Sequence, residues 1–209
     1  MENPKVLIVY ATVHGHTRRV AERMARALTA AGVDAEAADL ERTSDPLASE
    51  GLRGVILAGP VRFGRHPRSL RRFAKRNRAA LHRLPSAFVS VSGAASADEP
   101  AAREESRAYA ERFTKGTGWL PDRTLCAAGA FAFTRYNPLV RIVMRSIGKK
   151  KGLSTDTRHD QVYTDWDAVD RFAAAFGRLV SEKEGAGPPE SSLRESPGAT
   201  RDADARSTA

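Results

Sequence analysis

The sequence predicts an α/β fold, one doubly wound, five-stranded parallel sheet with a long insert after strand five. Three observations carry this. Short apolar runs alternate with stretches of helical periodicity along most of the chain, the order that produces a parallel sheet. The first run, Val6 to Val9, passes through a short loop, Tyr10 to Thr17, straight into a helical pattern. Strand, loop and helix in that order are how α/β proteins build an anion site. Five such runs with intervening helices fit the doubly wound class, whose ligands lie beyond the carboxyl ends of the strands.

The elements follow in order. Strand one is Lys5–Tyr10, and the helix after it runs from about Thr17 to Ala31, closed by Gly32. Strand two is Val33–Asp39, and a polar connection carrying Pro46 leads to strand three, Gly54–Gly59. The next helix, about Pro67–His82, begins at a proline, whose missing N–H is harmless in a first turn. Strand four, Ala87–Val91, is entered through Pro85. A helix over about Ala101–Lys115 ends near Gly116, and strand five is about Thr124–Phe131. The last helix, about Trp166–Val180, is expected to start from a capping box of Thr164 and Asp167.

Two stretches exceed this pattern. The insert 132–163, about thirty residues, is far longer than an ordinary βα loop and is expected to be functional. Within it Asn137–Lys151 reads as an amphipathic helix. Arg141, Arg145 and Lys149 fall on one stripe, and Leu139, Val140, Ile142, Val143, Met144 and Ile147 fill the opposite arc. Such a helix either lies on an anionic membrane or packs its apolar face on the domain, and Lys150 and Lys151 extend its basic end. The folded domain is expected over residues 1–181. The tail, 182–209, rich in Gly, Pro, Ser and Ala without periodicity, is expected to be disordered.

The formal net charge is +9, unevenly spread. From Arg62 to Arg83 there are nine cationic residues and no acid, and from Arg135 to Lys151 six more, again with no acid. This favours an anionic partner: nucleic acid, an anionic bilayer or a carboxylate-bearing substrate. The bland alternative is a solvated basic face. Nucleic acid is not expected, because the basic helix Pro67–His82 has only Phe73 as an aromatic and matches no recognition motif. No run of apolar residues is long enough to span a membrane. The start of the chain lacks a signal-peptide layout, and one cysteine, Cys126, excludes an internal disulfide; both point to the cytoplasm. Cys126 sits among apolar neighbours as a small filler, and no His/Cys cluster has metal-ligand spacing.

The loop after strand one, Thr12, Val13, His14, Gly15, His16 and Thr17, is the candidate anion site. The first N–H groups of a helix lack internal partners and carry the positive end of its dipole. Thr12 and Thr17 can add hydroxyl donors, and Gly15 permits close backbone approach. The pattern is neither a Walker loop nor a Rossmann fingerprint, and an ordinary βα turn is the competing reading. After strand three, Arg62, Phe63 and Gly64 stand out. Phe63 can flank a flat ring, Arg62 can place charge beside it, and Gly59 and Gly64 allow tight turns. After strand four, Ser90, Val91, Ser92 and Gly93 begin a run of small residues suited to main-chain contacts. His14 and His16 are expected to be solvated, with the helix dipole disfavouring protonation, and no residue stands out as a general base.

The Thr-x-x-Gly-x-Thr loop resembles that of the flavodoxins, which holds the single phosphate of FMN. Further stretches are more specific: Pro85-Ser86-Ala87-Phe88 with Ser90-Val91, Trp119 with Pro121-Asp122-Arg123, Arg135-Tyr136, Thr155-Asp156-Thr157-Arg158, and Val162-Tyr163-Thr164-Asp165-Trp166. With these the chain, from about Lys5 to Leu179, resembles the menaquinone-dependent protoporphyrinogen IX dehydrogenases, flavodoxin-like oxidases of bacterial haem synthesis. The resemblance implies FMN as cofactor and protoporphyrinogen IX as substrate, oxidised to protoporphyrin IX in three two-electron rounds. It implies menaquinone or ubiquinone as acceptor, hence a peripheral enzyme on the cytoplasmic face of the inner membrane. The anionic surface would be met through Arg141, Arg145, Lys149, Lys150 and Lys151. The resemblance maps the phosphate loop onto Thr12 to Thr17 and the ring surroundings onto Ser90 to Gly93 with Thr155 and Asp156. Ala94-Ala95-Ser96-Ala97 stands where the family carries a more basic stretch. Two alternatives are a flavodoxin-type NAD(P)H-quinone reductase, for which no nicotinamide motif is present, and an electron-carrier flavodoxin. The positive charge and the insert argue against the carrier.

Overall fold

A computed structural model describes residues 5–48, 51–97, 99–131 and 161–185. Five parallel strands form one sheet: β1 (Lys5–Tyr10), β2 (Asp34–Asp39), β3 (Leu52–Pro60), β4 (Ser86–Ser92) and β5 (Arg123–Ala128), in the order β2-β1-β3-β4-β5. The expected fold class is what the chain adopts. β1, β3 and β4 are buried along nearly their whole length, as strands covered on both faces must be. Alternate residues feed two cores. Val6, Ile8 and Tyr10 pack under α1 (His16–Ala30) and α5 (Trp166–Gly185), whereas Leu7 and Val9 pack under α2 (Arg68–Arg76), α3 (Arg78–Arg83) and α4 (Pro100–Thr117). In α1 the inward stripe is Thr17, Val20, Ala21, Met24 and Leu28, the helical spacing of a one-sided apolar face.

Four local expectations are corrected. The single helix expected over Pro67–His82 is two helices meeting at Asn77, whose side-chain amide donates to the Phe73 carbonyl at 3.0 Å. That local bond competes with the helical ladder. Strand five does not run through to Phe131: it ends at Ala128, and after Gly129 the chain forms β6 (Ala130–Phe131), antiparallel to β7 (Gln161–Val162). Thr164 does not cap the last helix. Asp165 does, its carboxylate accepting the Ala168 N–H at 2.9 Å, because the Thr164 hydroxyl is engaged elsewhere. That helix continues to Gly185 rather than stopping at Val180.

The residues quoted for the family resemblance turn out to tie the sheet together. Trp119 is fully buried and its indole N–H donates to the Ser86 hydroxyl at 3.2 Å. Asp122 accepts the Ser86 N–H at 2.7 Å and pairs with Lys183 at 3.0 Å. Burial works against its charge, but these two donors hold its carboxyl below its ordinary range. The amphipathic stretch Asn137–Lys151, Thr155, Asp156 and the tail from residue 186 lie outside the described residues. No helix among the described residues is long and apolar enough to cross a membrane.

Candidate functional site

In a parallel sheet all carboxyl ends face one way, so the loops after β1, β3 and β4 meet on one edge. At the first, Gly15 takes φ 84° immediately before α1, a left-handed conformation that a side chain would strain. Its N–H donates to Thr12 Oγ1 at 3.0 Å. No side chain caps α1, which leaves the first amides of the helix to a ligand or solvent. Thr17 is buried, while Val13 is exposed.

His16 is not the solvated histidine the sequence suggests. Its Nε2 lies 2.7 Å from Thr164 Oγ1, and that hydroxyl lies 2.7 Å from the Ala128 carbonyl. A hydroxyl has one proton, and a carbonyl can only accept, so Thr164 donates to Ala128 and Nε2–H of His16 donates to Thr164. The other ring nitrogen, Nδ1, therefore carries a lone pair in the neutral ring, and it is buried without a partner among the described residues. Burial, then the nearby Arg19 cation, lower the His16 pKa, so the ring is neutral at physiological pH. Nothing in the local sequence signalled this, because Thr164 lies 148 residues away. Replacing Thr164 by valine keeps the shape but leaves a ring N–H and a carbonyl unpaired. A loss of about 1–3 kcal/mol is expected in urea unfolding, with serine restoring most of it. Valine at wild-type stability would remove the relay from the account.

The loop after β3 forms a tight turn in which Arg62 and Arg65 exchange backbone bonds of 2.9 and 3.0 Å. Its central residues, Phe63 and Gly64, have φ 47° and 74°, the left-handed pair of a primed hairpin turn. Glycine suits that position; phenylalanine there stores strain of order 1–3 kcal/mol. Its ring is 85 % exposed, with the Arg62 guanidinium 5.7 Å from its centroid. Arg112 on α4 braces the turn from outside through the Gly64 carbonyl at 3.0 Å. From inside it is held by His66, which sequence reasoning passed over. His66 is buried, bonds Ser90 Oγ at 3.1 Å, and packs edge-on against Phe88 and Phe113. Gly59 serves this packing rather than a ligand: a Cβ there would lie 2.3 Å from Leu70 Cδ2.

Ser90, Val91 and Ser92, expected in the loop after strand four, are instead the buried end of β4. Ser90 meets His66, and Ser92 Oγ accepts the Ala95 N–H at 3.3 Å. Gly93, at φ −70°, needs no glycine-specific conformation and sits with Ala94–Ser96 at the rim. Beside that rim opens a cleft of about 730 Å³, lined by Ser96, Arg103, Arg107, Glu111, Cys126 and Asp165 among others. Ser96 Oγ is buried without a partner among the described residues. Burial raises the Cys126 thiol, which donates to the Ser106 carbonyl at 3.5 Å. The cleft also went unread, though Arg103 and Arg107, one helical turn apart on α4, were a signal available in the sequence.

Known proteins resemble this chain in sequence and in fold. The Flavodoxin domain family (Flavodoxin_5) matches residues 7–158. The quinone-dependent protoporphyrinogen IX dehydrogenase of Escherichia coli K12 is 33 % identical over 178 residues, covering 85 % of this chain and 97 % of that protein. Its namesake from Leishmania major is 31 % identical over 180 residues, covering 85 % and 77 %. Among solved structures, a short-chain flavodoxin associated with a bacterial microcompartment superposes with TM-score 0.53 at 12 % identity, covering 84 % of this chain and 98 % of that one. The rubredoxin oxygen:oxidoreductase of Desulfovibrio gigas does so with TM-score 0.53 at 14 % identity, over 87 % of this chain and 37 % of that one. These two likenesses speak to the fold alone.

Proposed function

Since the chain belongs to the flavodoxin-domain family of quinone-dependent protoporphyrinogen IX dehydrogenases, we propose that it is an FMN oxidoreductase converting protoporphyrinogen IX to protoporphyrin IX and passing the electrons to a membrane quinone. The observation that carries the FMN assignment is the uncapped start of α1, with left-handed Gly15 immediately before it. That donor set suits a phosphate, because the amides need acceptors and a phosphate brings them without a side chain.

When bound, FMN supplies a two-electron acceptor for the porphyrinogen and a donor for the quinone. The residues around it have separable tasks. The Thr12 hydroxyl and the first amides of α1 hold the phosphate, the left-handed Gly15 shaping the turn between them. Arg62 brings positive charge to the ring edge, which favours an anionic reduced flavin. Phe63 and the rim at Gly93 bound the ring's space. Arg103 and Arg107 at the cleft supply forked donors for propionate carboxylates, and Ser96 Oγ offers one more polar contact. The enzyme acts at the cytoplasmic face of the inner membrane, where the quinone resides.

The test is anaerobic. FMN-loaded protein is mixed with protoporphyrinogen IX while the visible flavin band is followed, and a menaquinone analogue is added afterwards. Bleaching, reoxidation and porphyrin fluorescence are expected in that sequence. A flavin that stays oxidised with porphyrinogen but bleaches with NADPH would make the protein an NAD(P)H-quinone reductase instead.

A further inference from the structure

All nine cations between Arg62 and Arg83 are exposed. None of them makes an ion pair among the described residues, although seven other ion pairs are formed. On α2, Arg68, Arg72 and Arg76 fall on one stripe and Arg71 and Lys75 on the next, while Leu70, Phe73 and Ala74 are buried. The neighbouring helix does not neutralise them: on α4, Glu105 is held by Tyr109 and Glu111 by Lys115. A cationic face with no carboxylate of its own stores unscreened repulsion that an anionic surface relieves.

The same face ends in an apolar point. The chain enters α2 from the turn that carries Phe63, exposed, backbone-strained and flanked by Arg62 and Arg65. The turn is rigidly supported, through Arg112 outside and His66 inside. At a bilayer the ring can enter the headgroup boundary while the arginines around it meet lipid phosphates.

We propose that the Phe63 turn and the exposed face of α2 form a membrane-docking surface for anionic lipid. This is a different part of the protein from the insert helix to which sequence reasoning assigned that contact. Docking through it brings the ring side of the candidate cofactor site to the bilayer, which is where a lipid-soluble quinone must be met. Duplex nucleic acid would satisfy the charge but not the phenyl ring, which has no base stack to enter beside an intact helix. The proposal takes from the assigned function only the reason for meeting a membrane.

The experiment uses the full chain and sedimentation with vesicles of phosphatidylcholine alone or mixed with phosphatidylglycerol, at low salt. Binding is expected only to the mixed vesicles. Arg71→Glu with Arg72→Glu should weaken it by at least about 30-fold, from about 1 kcal/mol for each basic residue lost near the surface plus the repulsion of the two new carboxylates. Arg26→Glu with Arg178→Glu, the same charge change on the opposite helical layer, should weaken it only a few-fold. Phe63→Asn accepts the left-handed backbone better than phenylalanine, so it should raise thermal stability while weakening vesicle binding. Equal losses from the two charge pairs, or unchanged binding by Phe63→Asn, would overturn the proposal. So would a DNA duplex that binds the wild type and is lost by the Arg71/Arg72 variant while its vesicle binding stays intact. Turnover with a soluble quinone analogue keeps the two ideas apart: the Arg71/Arg72 variant should retain it even where vesicle binding is lost.

Discussion

Replacing His66 by phenylalanine is expected to flatten the acid limb of the stability curve between about pH 6.5 and pH 4. Burial drives the His66 pKa from 6.5 down to about 4, because the charged ring would sit among Phe88 and Phe113 with only the Ser90 hydroxyl beside it. The sign follows from proton counting. The unfolded chain takes up a proton near pH 6.5 and the folded chain does not until about pH 4, so the unfolded state binds more protons in that window. Stability is fully present above pH 6.5 and falls as the pH drops toward 4. The loss is about 3 kcal/mol, at roughly 1.4 kcal/mol per pH unit. Urea midpoints measured at intervals across this range should show that slope in the wild type and little of it in the variant. A smaller slope will remain because His16 is lowered as well. At neutral pH the variant should itself lose about 1–2 kcal/mol, from the unpaired Ser90 hydroxyl and the larger ring. Parallel pH curves for the two proteins would mean that His66 titrates normally and that the buried placement is wrong.

Truncating Trp119 to alanine carries the largest expected cost to the fold, about 3–5 kcal/mol. The indole is fully buried and lies edge-on to Phe88 at 5.9 Å and Phe113 at 6.4 Å. Removing it leaves a hole between β4 and α4 and strands the Ser86 hydroxyl, which accepts its N–H. At about 2–4 °C per kcal/mol for a chain of this size, the melting temperature should fall by roughly 10 °C or more. Trp119→Phe should recover about half of the loss, keeping an aromatic edge while forgoing the hydrogen bond. The apoprotein should suffer as much as the flavin-loaded protein, since the residue stands at the opposite end of β4 from the cofactor loops. A drop under about 1 kcal/mol in the alanine variant would show that the cavity collapses.

These two residues divide differently between sequence and structure. Trp119 was legible as a family feature, but its neighbours in sequence gave no hint that it bonds Ser86, 33 residues earlier. His66 was visible only as one letter in a loop of glycines and arginines. Its burial comes from Phe88 and Phe113, 22 and 47 residues further along the chain, closing on its ring. The same holds for His16: read locally, it is an exposed histidine at a helix start, and only the return of the chain after the insert sets Thr164 against it. At the basic stretch Arg62–Arg83 the sequence revealed the charge but not its isolation, because whether a cation finds a carboxylate depends on which helices pack side by side.

The amino-acid sequence alone determined the class and order of the main elements, the glycine loop before α1 and the family, with the proposed FMN and porphyrinogen readings following from that kinship. Those properties rest on local periodicity, on capping chemistry and on residue patterns that survive in the chain whatever surrounds them. Tertiary structure alone decided which groups are buried and which are paired: the tautomer of His16, the depressed His66, the strained and outward-facing Phe63 and the unpartnered face of α2. Burial and pairing are set by residues dozens of positions apart meeting at packing density. No local pattern encodes that meeting.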